Sequence, residues 1–184
     1  MKPNSPTNLI STLGSIGSIL ITVMMVLPMA SFSQADKSAG AFHDPEQLVR
    51  HLYDQVTFPA GKTPDWDYVR TFFIKDAVVV MRAGKNKTNT LSLDGWVLDF
   101  VNFINDRDVE KTGFTEKVVK TRTMVFGDIA HVLVLYTAEI PGKSKAPQEG
   151  VDSFHLIRQD GKWQIVSILN EIPGADRPKP DILK

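Results

Sequence analysis

Apolar positions along this chain fall into two regimes: helical spacing in one half, long runs in the other. Leu48, Leu52 and Val56 line one side of a segment, with Val49 and Tyr53 beside them, which predicts an amphipathic helix to about Val56. Asp44-Pro45-Glu46-Gln47 supplies its start, with Asp as N-cap, Pro at the first helical position and Gln at the third. Pro59 and Gly61 impose a loop. Thr63-Pro64 then opens a second helix, DWDYVRTFF, with Trp66, Val69 and Phe73 on one face. Ser92 caps a third, whose stripe is Leu93, Trp96, Val97, Phe100, Val101 and Ile104, and which ends in the charged stretch 105–111.

The remaining segments read as strands. AVVVMR follows Asp76, and a short second strand ends near Leu91. Residues 114–126 and 129–140 flank Gly127-Asp128, a hairpin signal, and 141–149 is a polar loop. A last hairpin, GVDSFHLIRQDGKWQIVSILNE (150–171), turns at Asp160-Gly161, a dipeptide that supplies the positive φ angles of a tight turn. The tail after Ile172 holds three prolines and is expected to be extended or loosely attached. Helix, helix, strand pair, helix and then four long antiparallel strands predict an α+β domain with helices on one face of the sheet.

The N-terminus follows neither regime. Lys2 is the only charge before Asp36, residues 9–27 are apolar apart from Ser, Thr and Gly, and Ser33-Gln34-Ala35 offers small residues at the third and first positions before a cut. Residues 1–35 are therefore expected to be a signal peptide cleaved near Ala35. A retained membrane anchor is the alternative, disfavoured by Pro28 and the polar stretch before the cut. The expected product is one domain, 36–184, exported to the periplasm or medium, with no stable membrane insertion. Without cysteine it holds no disulfide, so packing alone must stabilise it. A formal net charge of zero argues against a nucleic-acid partner.

One residue breaks the apolar pattern of the last hairpin. If the turn is regular, Asp152, Phe154 and Leu156 share a face with Trp163, Ile165, Ser167 and Leu169. A carboxylate there is costly to bury unpaired, and its pKa rises unless a partner or ligand compensates. Asp152 is thus the leading candidate for a pocket acid.

The element order and three segments, DWDYVRTFFIKDAVVV, GFTEKVVKTRTMVFGDIAHVLVLY and GVDSFHLIRQDGKWQIVSI, resemble the nuclear transport factor 2-like superfamily in its SnoaL-like branch of small bacterial proteins. With the helices between them they cover nearly all of 36–184. The resemblance implies a cone-shaped α+β domain, three N-terminal helices packed in a curved antiparallel sheet around an apolar pocket. It leaves the reaction open, since this scaffold hosts isomerases, dehydratases, cyclases, hydrolases and binding modules. In the steroid isomerases of the superfamily, an Asp-x-Phe pattern before the last turn carries the protonated acid of an oxyanion hole. Asp152 in VDSF stands at that position, and Tyr53 matches a tyrosine of the first helix. Counted from Phe72-Phe73 and Asp76-Ala77, the isomerase's general base falls on Met81, which cannot take a proton. Steroid-isomerase chemistry is therefore not expected.

Strand alternation puts His131, Leu133 and Leu135 on one face and Ala130, Val132, Val134 and Tyr136 on the other; a one-residue slip exchanges them. The resemblance implies that the His131 face lines the cavity. Asp152 and His131 are then the candidate acid–base pair, and Tyr53, Met81, Glu116, Leu133, Tyr136 and Ser167 the candidate ligand contacts. In a regular hairpin Glu116 would sit across from Glu139. No residue spacing suits a metal, and there is no phosphate loop or nucleophile elbow, so neither metal nor cofactor is expected. The expected function is an exported domain binding a small apolar or aromatic molecule, anchored at Asp152. The alternative is a cofactor-independent lyase, isomerase or cyclase of the SnoaL or scytalone dehydratase type using Asp152 and His131. The resemblance also implies a homodimer formed through the outer sheet face.

Overall fold

The computed structural model describes residues 40–143 and 146–184; the expected signal peptide, 1–35, lies outside the described residues. Helix α1 (Pro45–Val56) begins as its sequence dictates. Asp44 accepts from the Gln47 amide at 2.8 Å, and Pro45 occupies the first turn. Its buried side, Leu48, Val49, Leu52, Tyr53 and Val56, is the face the periodicity marks. Each such aliphatic side chain taken fully from water contributes about 1.5–3 kcal/mol.

A polar clamp fixes the helix on the sheet. Glu46 accepts from Thr121 Oγ1 at 2.7 Å and Thr123 Oγ1 at 2.8 Å, and Arg50 donates to both Glu46 and Thr121. These bonds, that from Thr121 first, hold the Glu46 carboxyl below its ordinary range.

Helix α2 (Trp66–Arg70) is shorter than DWDYVRTFF suggests. The chain leaves the helix after Thr71, and Phe73 already pairs with Ile165 as the first residue of β2 (Phe73–Gly84). Aromatic residues at 72 and 73 suit a strand as well as a helix, and burial of Phe72 and Phe73 against the core decides the matter. Strand β3 (Lys87–Ser92) returns along β2, and α3 (Leu93–Asp106) starts at Ser92, whose hydroxyl accepts from the Gly95 amide.

The sheet, seven-stranded among the described residues, has the order β1-β4-β5-β6-β7-β2-β3, with β1 (Phe58–Pro59), β4 (Gly113–Phe126), β5 (Ile129–Glu139), β6 (Gln148–Gln159) and β7 (Lys162–Glu171). Its neighbours run antiparallel except β2 and β7, which are parallel because the chain crosses from one edge to the other between them. The helices cover its inner face, and the main core lies between, with Phe72, Phe154, Leu156 and Ile165 fully buried. The β6–β7 turn has Asp160 at φ 50° and Gly161 at φ 75°, the geometry the dipeptide requires.

Two bulges set which side chains face inward. Val119 is an extra residue in β4, between Val118, opposite Tyr136, and Lys120, opposite Leu135. Val166 is an extra residue in β7, between Ile165, opposite Leu156, and Ser167, opposite His155. An inserted residue bends its strand and shifts the alternation beyond it. Glu116 therefore pairs with Ala138 rather than Glu139.

The tail is not loosely attached. Leu183, 1% exposed, packs on Leu135 and Val151 of the outer sheet face. Lys179 pairs with Glu149 at 2.8 Å and Arg177 with Glu171 at 3.2 Å. An apolar plug near the end of the chain, Leu183, outweighs the prolines before it. No helix among the described residues is long and apolar enough to cross a membrane.

Candidate functional site

The concave face of the sheet and α1 and α3 enclose a cavity of about 230 Å³. Its walls are mostly apolar, with Leu52 and Val56 from α1, Val79 and Met81 from β2, Trp96, Phe100 and Phe103 from α3, and Phe154 and Ile168 from β6 and β7. The helical spacing 96, 100, 103 turns one side of α3 into an aromatic wall. Asp99 lies on the same helix, exposed at the rim.

A polar cluster breaks this lining. Tyr53 Oη donates to Asp152 Oδ2 at 2.6 Å, and Asn170 Nδ2 donates to Asp152 Oδ1 at 2.8 Å. Asn170 also donates to Tyr136 Oη at 3.0 Å. Two residues, Tyr53 of α1 and Asn170 of β7, thus bond the Asp152 carboxylate of β6 directly, and Tyr136 of β5 joins the cluster through Asn170. The Tyr53 and Tyr136 rings lie 5.5 Å apart, and Asn170 is buried. Asp152 and Asn170 are direct cross-strand partners, and Asp152 also faces Val134 of β5. Gly150 makes room for this arrangement. It stands opposite Tyr136, and a Cβ there would fall on the phenol ring.

Glu116 brings a second carboxyl to the cavity wall. Its backbone is gripped by Thr57 at the end of α1, whose hydroxyl accepts from the Glu116 amide at 2.8 Å and donates to its carbonyl at 3.0 Å. The side chain has no hydrogen-bond partner among the described residues.

The electrostatics follow from this enclosure. Burial pushes the Asp152 carboxyl up to about 6, against the opposing effect of the Tyr53 and Asn170 hydrogen bonds. Burial, and then the charge of Asp152, push Glu116 up to about 8. The Tyr53 and Tyr136 phenols are driven above their ordinary range by burial first and Asp152 second. At neutral pH the cavity therefore holds an ionised Asp152 beside a protonated Glu116, a proton acceptor and a proton donor in one low-dielectric space.

Of the residues singled out from sequence, Asp152, Tyr53, Met81, Glu116 and Tyr136 line this cavity. His131, Leu133 and Ser167 do not. Ala130, Val132, Val134 and Tyr136 form the inward row of β5, so His131 and Leu133 project from the outer face. There the His131 ring bonds to Ser153 Oγ at 2.9 Å and stacks on His155 at 5.2 Å, with burial and His155 lowering its pKa. The expected Asp152–His131 pair does not form, because the sheet separates them. Ser167 lies past the Val166 bulge, also on the outer face, bonded to His155 Nδ1 at 3.1 Å; Ile168 and Asn170 take the inward places. Glu139 is likewise absent from the cavity wall. Sequence reasoning missed Asn170, Thr57, Gly150 and Asp99. A glycine inside a strand is a signal of close approach and marks Gly150; Asn170 could be found only by knowing the bulge. Among the described residues no three His, Cys, Asp or Glu side chains gather as a metal site.

No protein-family model matches the sequence, and no curated protein matches it. Solved structures do resemble the fold. A nuclear transport factor 2-like protein with a cystatin-like fold from Novosphingobium aromaticivorans superposes with a TM-score of 0.53 at 12% identity, over 81% of this chain and 94% of that one. A protein from the same species, provisionally named a scytalone dehydratase, gives 0.52 at 13% identity, over 76% and 89%. A nuclear transport factor 2-like protein of unknown function from Pseudomonas putida gives 0.50 at 14% identity, over 84% and 96%. The chain has the cone-shaped α+β fold of the nuclear transport factor 2-like superfamily, the fold its sequence resembles.

Proposed function

We propose that this chain is a small-molecule-binding domain whose cavity takes a mainly apolar or aromatic compound, with Asp152 as its polar anchor. The observation that carries the proposal is the cluster in which Tyr53 and Asn170 bond Asp152, and Asn170 bonds Tyr136, at the wall of a mostly apolar space. A few convergent polar groups in an apolar concavity are the common design of small-ligand sites. A thermal-shift screen of small aromatic and isoprenoid compounds tests it. Hits in the wild type that disappear in a folded Asp152→Asn variant support the proposal; hits unaffected by that change overturn the anchor.

Glu116 favours a second reading, cofactor-independent proton transfer of the lyase, isomerase or cyclase type. The ionised Asp152 would remove a proton from the ligand, and the protonated Glu116 would return one at another atom, the role first assigned to His131. A neighbour provisionally named a dehydratase lends this reading its fold alone. Mass spectrometry of recovered ligand distinguishes the two. A chemically altered ligand from the wild type, returned unchanged by Glu116→Gln, supports catalysis; unaltered ligand supports binding only.

Export rests on the sequence of residues 1–35 and is tested by N-terminal sequencing of the mature protein. Pairing of two copies is supported by the exposed outer-face residues Met124, Phe126 and Ile129 and is tested by sedimentation; a monomer at high concentration refutes it.

A further inference from the structure

The cavity wall carries three carboxyls, Asp99, Glu116 and Asp152, and, among the described residues, no Lys, Arg or His. They come from three elements, α3, β4 and β6, so the balance does not follow from one acidic segment. Beside them stand the ring faces and edges of Trp96, Phe100 and Phe103. The remaining wall adds phenols from α1 and β5, which stay neutral, and uncharged side chains from β2 and β7.

This composition discriminates between ligands. A carboxylate, a phosphate or an enolate would enter a space already negative, with no cation to meet it. A neutral molecule would leave the Asp152 charge with only its two hydrogen-bond donors, Tyr53 and Asn170. An ammonium group offsets that charge, and aromatic rings attract it through their negative faces, most strongly where water is excluded. Asp152 has both oxygens occupied by single donors, whereas Glu116 has no hydrogen-bond partner among the described residues and faces the cavity. The open acceptor is therefore Glu116.

We propose that the ligand of this cavity is an apolar organic cation, an aryl-alkyl amine or quaternary ammonium compound, whose charged nitrogen sits between Glu116 and Asp152 while its apolar body lies on the α3 aromatic wall. The proposal rests on the binding function above and narrows it to a ligand class. Binding has a proton consequence. Burial and Asp152 raise Glu116 to about 8, which favours its protonated form at neutral pH; the arriving cation favours its carboxylate, so its proton passes to the buffer as the ligand enters.

Calorimetry of the full chain tests this with 2-phenylethylamine, phenylethyl-trimethylammonium and the neutral isostere 2-phenylethanol, at pH 7 in two buffers of different ionisation enthalpy. The expected result is that both cations bind about tenfold or more tighter than the alcohol. Their measured enthalpy should differ between buffers by the amount that proton release requires. Glu116→Gln, nearly isosteric, should remove the buffer dependence and most of the preference. Asp99→Asn, at the rim, should weaken the cations only slightly. Equal affinity for alcohol and amines overturns the cation proposal and leaves the binding function standing. Absence of binding by both cations in a folded protein overturns the cation proposal, while the binding function is decided by the wider screen described above. Cation binding unchanged in Glu116→Gln overturns the assignment of the nitrogen to this carboxyl.

Discussion

The Tyr53 hydroxyl donates to Asp152 Oδ2 across 2.6 Å, joining the C-terminal half of α1 to a residue 99 positions later. It is the contact through which the helical layer enters the polar cluster. With Asn170 it keeps the Asp152 pKa near 6 rather than higher. Tyr53→Phe removes one of two donors to a buried carboxylate. A destabilisation of about 1–3 kcal/mol is expected at pH 8, where Asp152 is ionised. Near pH 5, where the protonated acid needs less support, the loss should be smaller. Urea denaturation at the two pH values checks this, and an equal loss at both would count against the charge-assisted role.

Stability should fall as pH rises through neutrality. A carboxyl whose folded pKa lies above its unfolded value keeps its proton longer in the folded state. The folded chain then binds more protons than the unfolded one, and stability declines with rising pH. For Asp152 the window runs from about 4 to about 6, and for Glu116 from about 4.5 to about 8. Below both windows the penalty vanishes; above pH 8 it is complete. Glu116→Gln should therefore gain on the order of 2 kcal/mol over wild type at pH 9 and little at pH 4. Denaturation midpoints measured from pH 4 to 9 decide it.

Gly150→Ala should damage the cavity out of proportion to the single methyl added. The new Cβ meets the Tyr136 phenol, so the ring must move and its bond from Asn170 with it. Overpacking of this kind costs about 1–3 kcal/mol. The visible signature would be a shifted Tyr136 resonance together with weaker ligand binding. Gly142→Ala, by contrast, adds its methyl to open space at φ 74° and should affect stability by backbone strain alone, leaving Tyr136 unshifted.

Leu183→Ala should cost about 2–4 kcal/mol, because Leu183 fills a buried site against Leu135 and Val151. Limited proteolysis should then remove residues 173–184 faster than in the wild type. Unchanged cleavage would show that the Lys179–Glu149 and Arg177–Glu171 pairs hold the tail unaided.

His131→Ala, on the outer face, removes a hydrogen bond to Ser153 and a ring stack with His155. A stability change within about 1 kcal/mol is expected, with cavity binding intact. Loss of binding in this variant would mean that the outer face contributes to the site.

Much of the fold is legible because local signals agree with tertiary ones. Asp44 and Ser92 each cap a helix, and Asp160-Gly161 and Gly127 turn their hairpins at positive φ; Asp65, not Thr63-Pro64, caps the second helix. The site is less legible because sheet faces are counted along strands, and counting fails at a bulge. From the Asp160-Gly161 turn, regular alternation puts Ser167 and Leu169 beside Asp152; Val166 replaces them with Ile168 and Asn170. On β5 both rows are apolar, so pattern alone assigned neither, and the choice of the His131 row was wrong. Glu116 reaches the cavity for a reason the sequence hides: without the extra Val119 it would share the outer face with Glu139. Asp152 was visible from the start, since one acid among Phe154, Leu156, Trp163 and Ile165 contradicts the strand's pattern.

The Val166 bulge separates two properties that a regular strand couples. Ile165 and Ile168 both face inward although three positions apart, which is possible only because one residue between them is uncounted by β6. An in-frame deletion of that single codon would leave every remaining side chain of β7 on its present face. What would change is the local coiling of the strand, and with it the breadth of the chamber beside Asn170. The curvature of this wall can thus be altered by one codon while its chemistry stays the same.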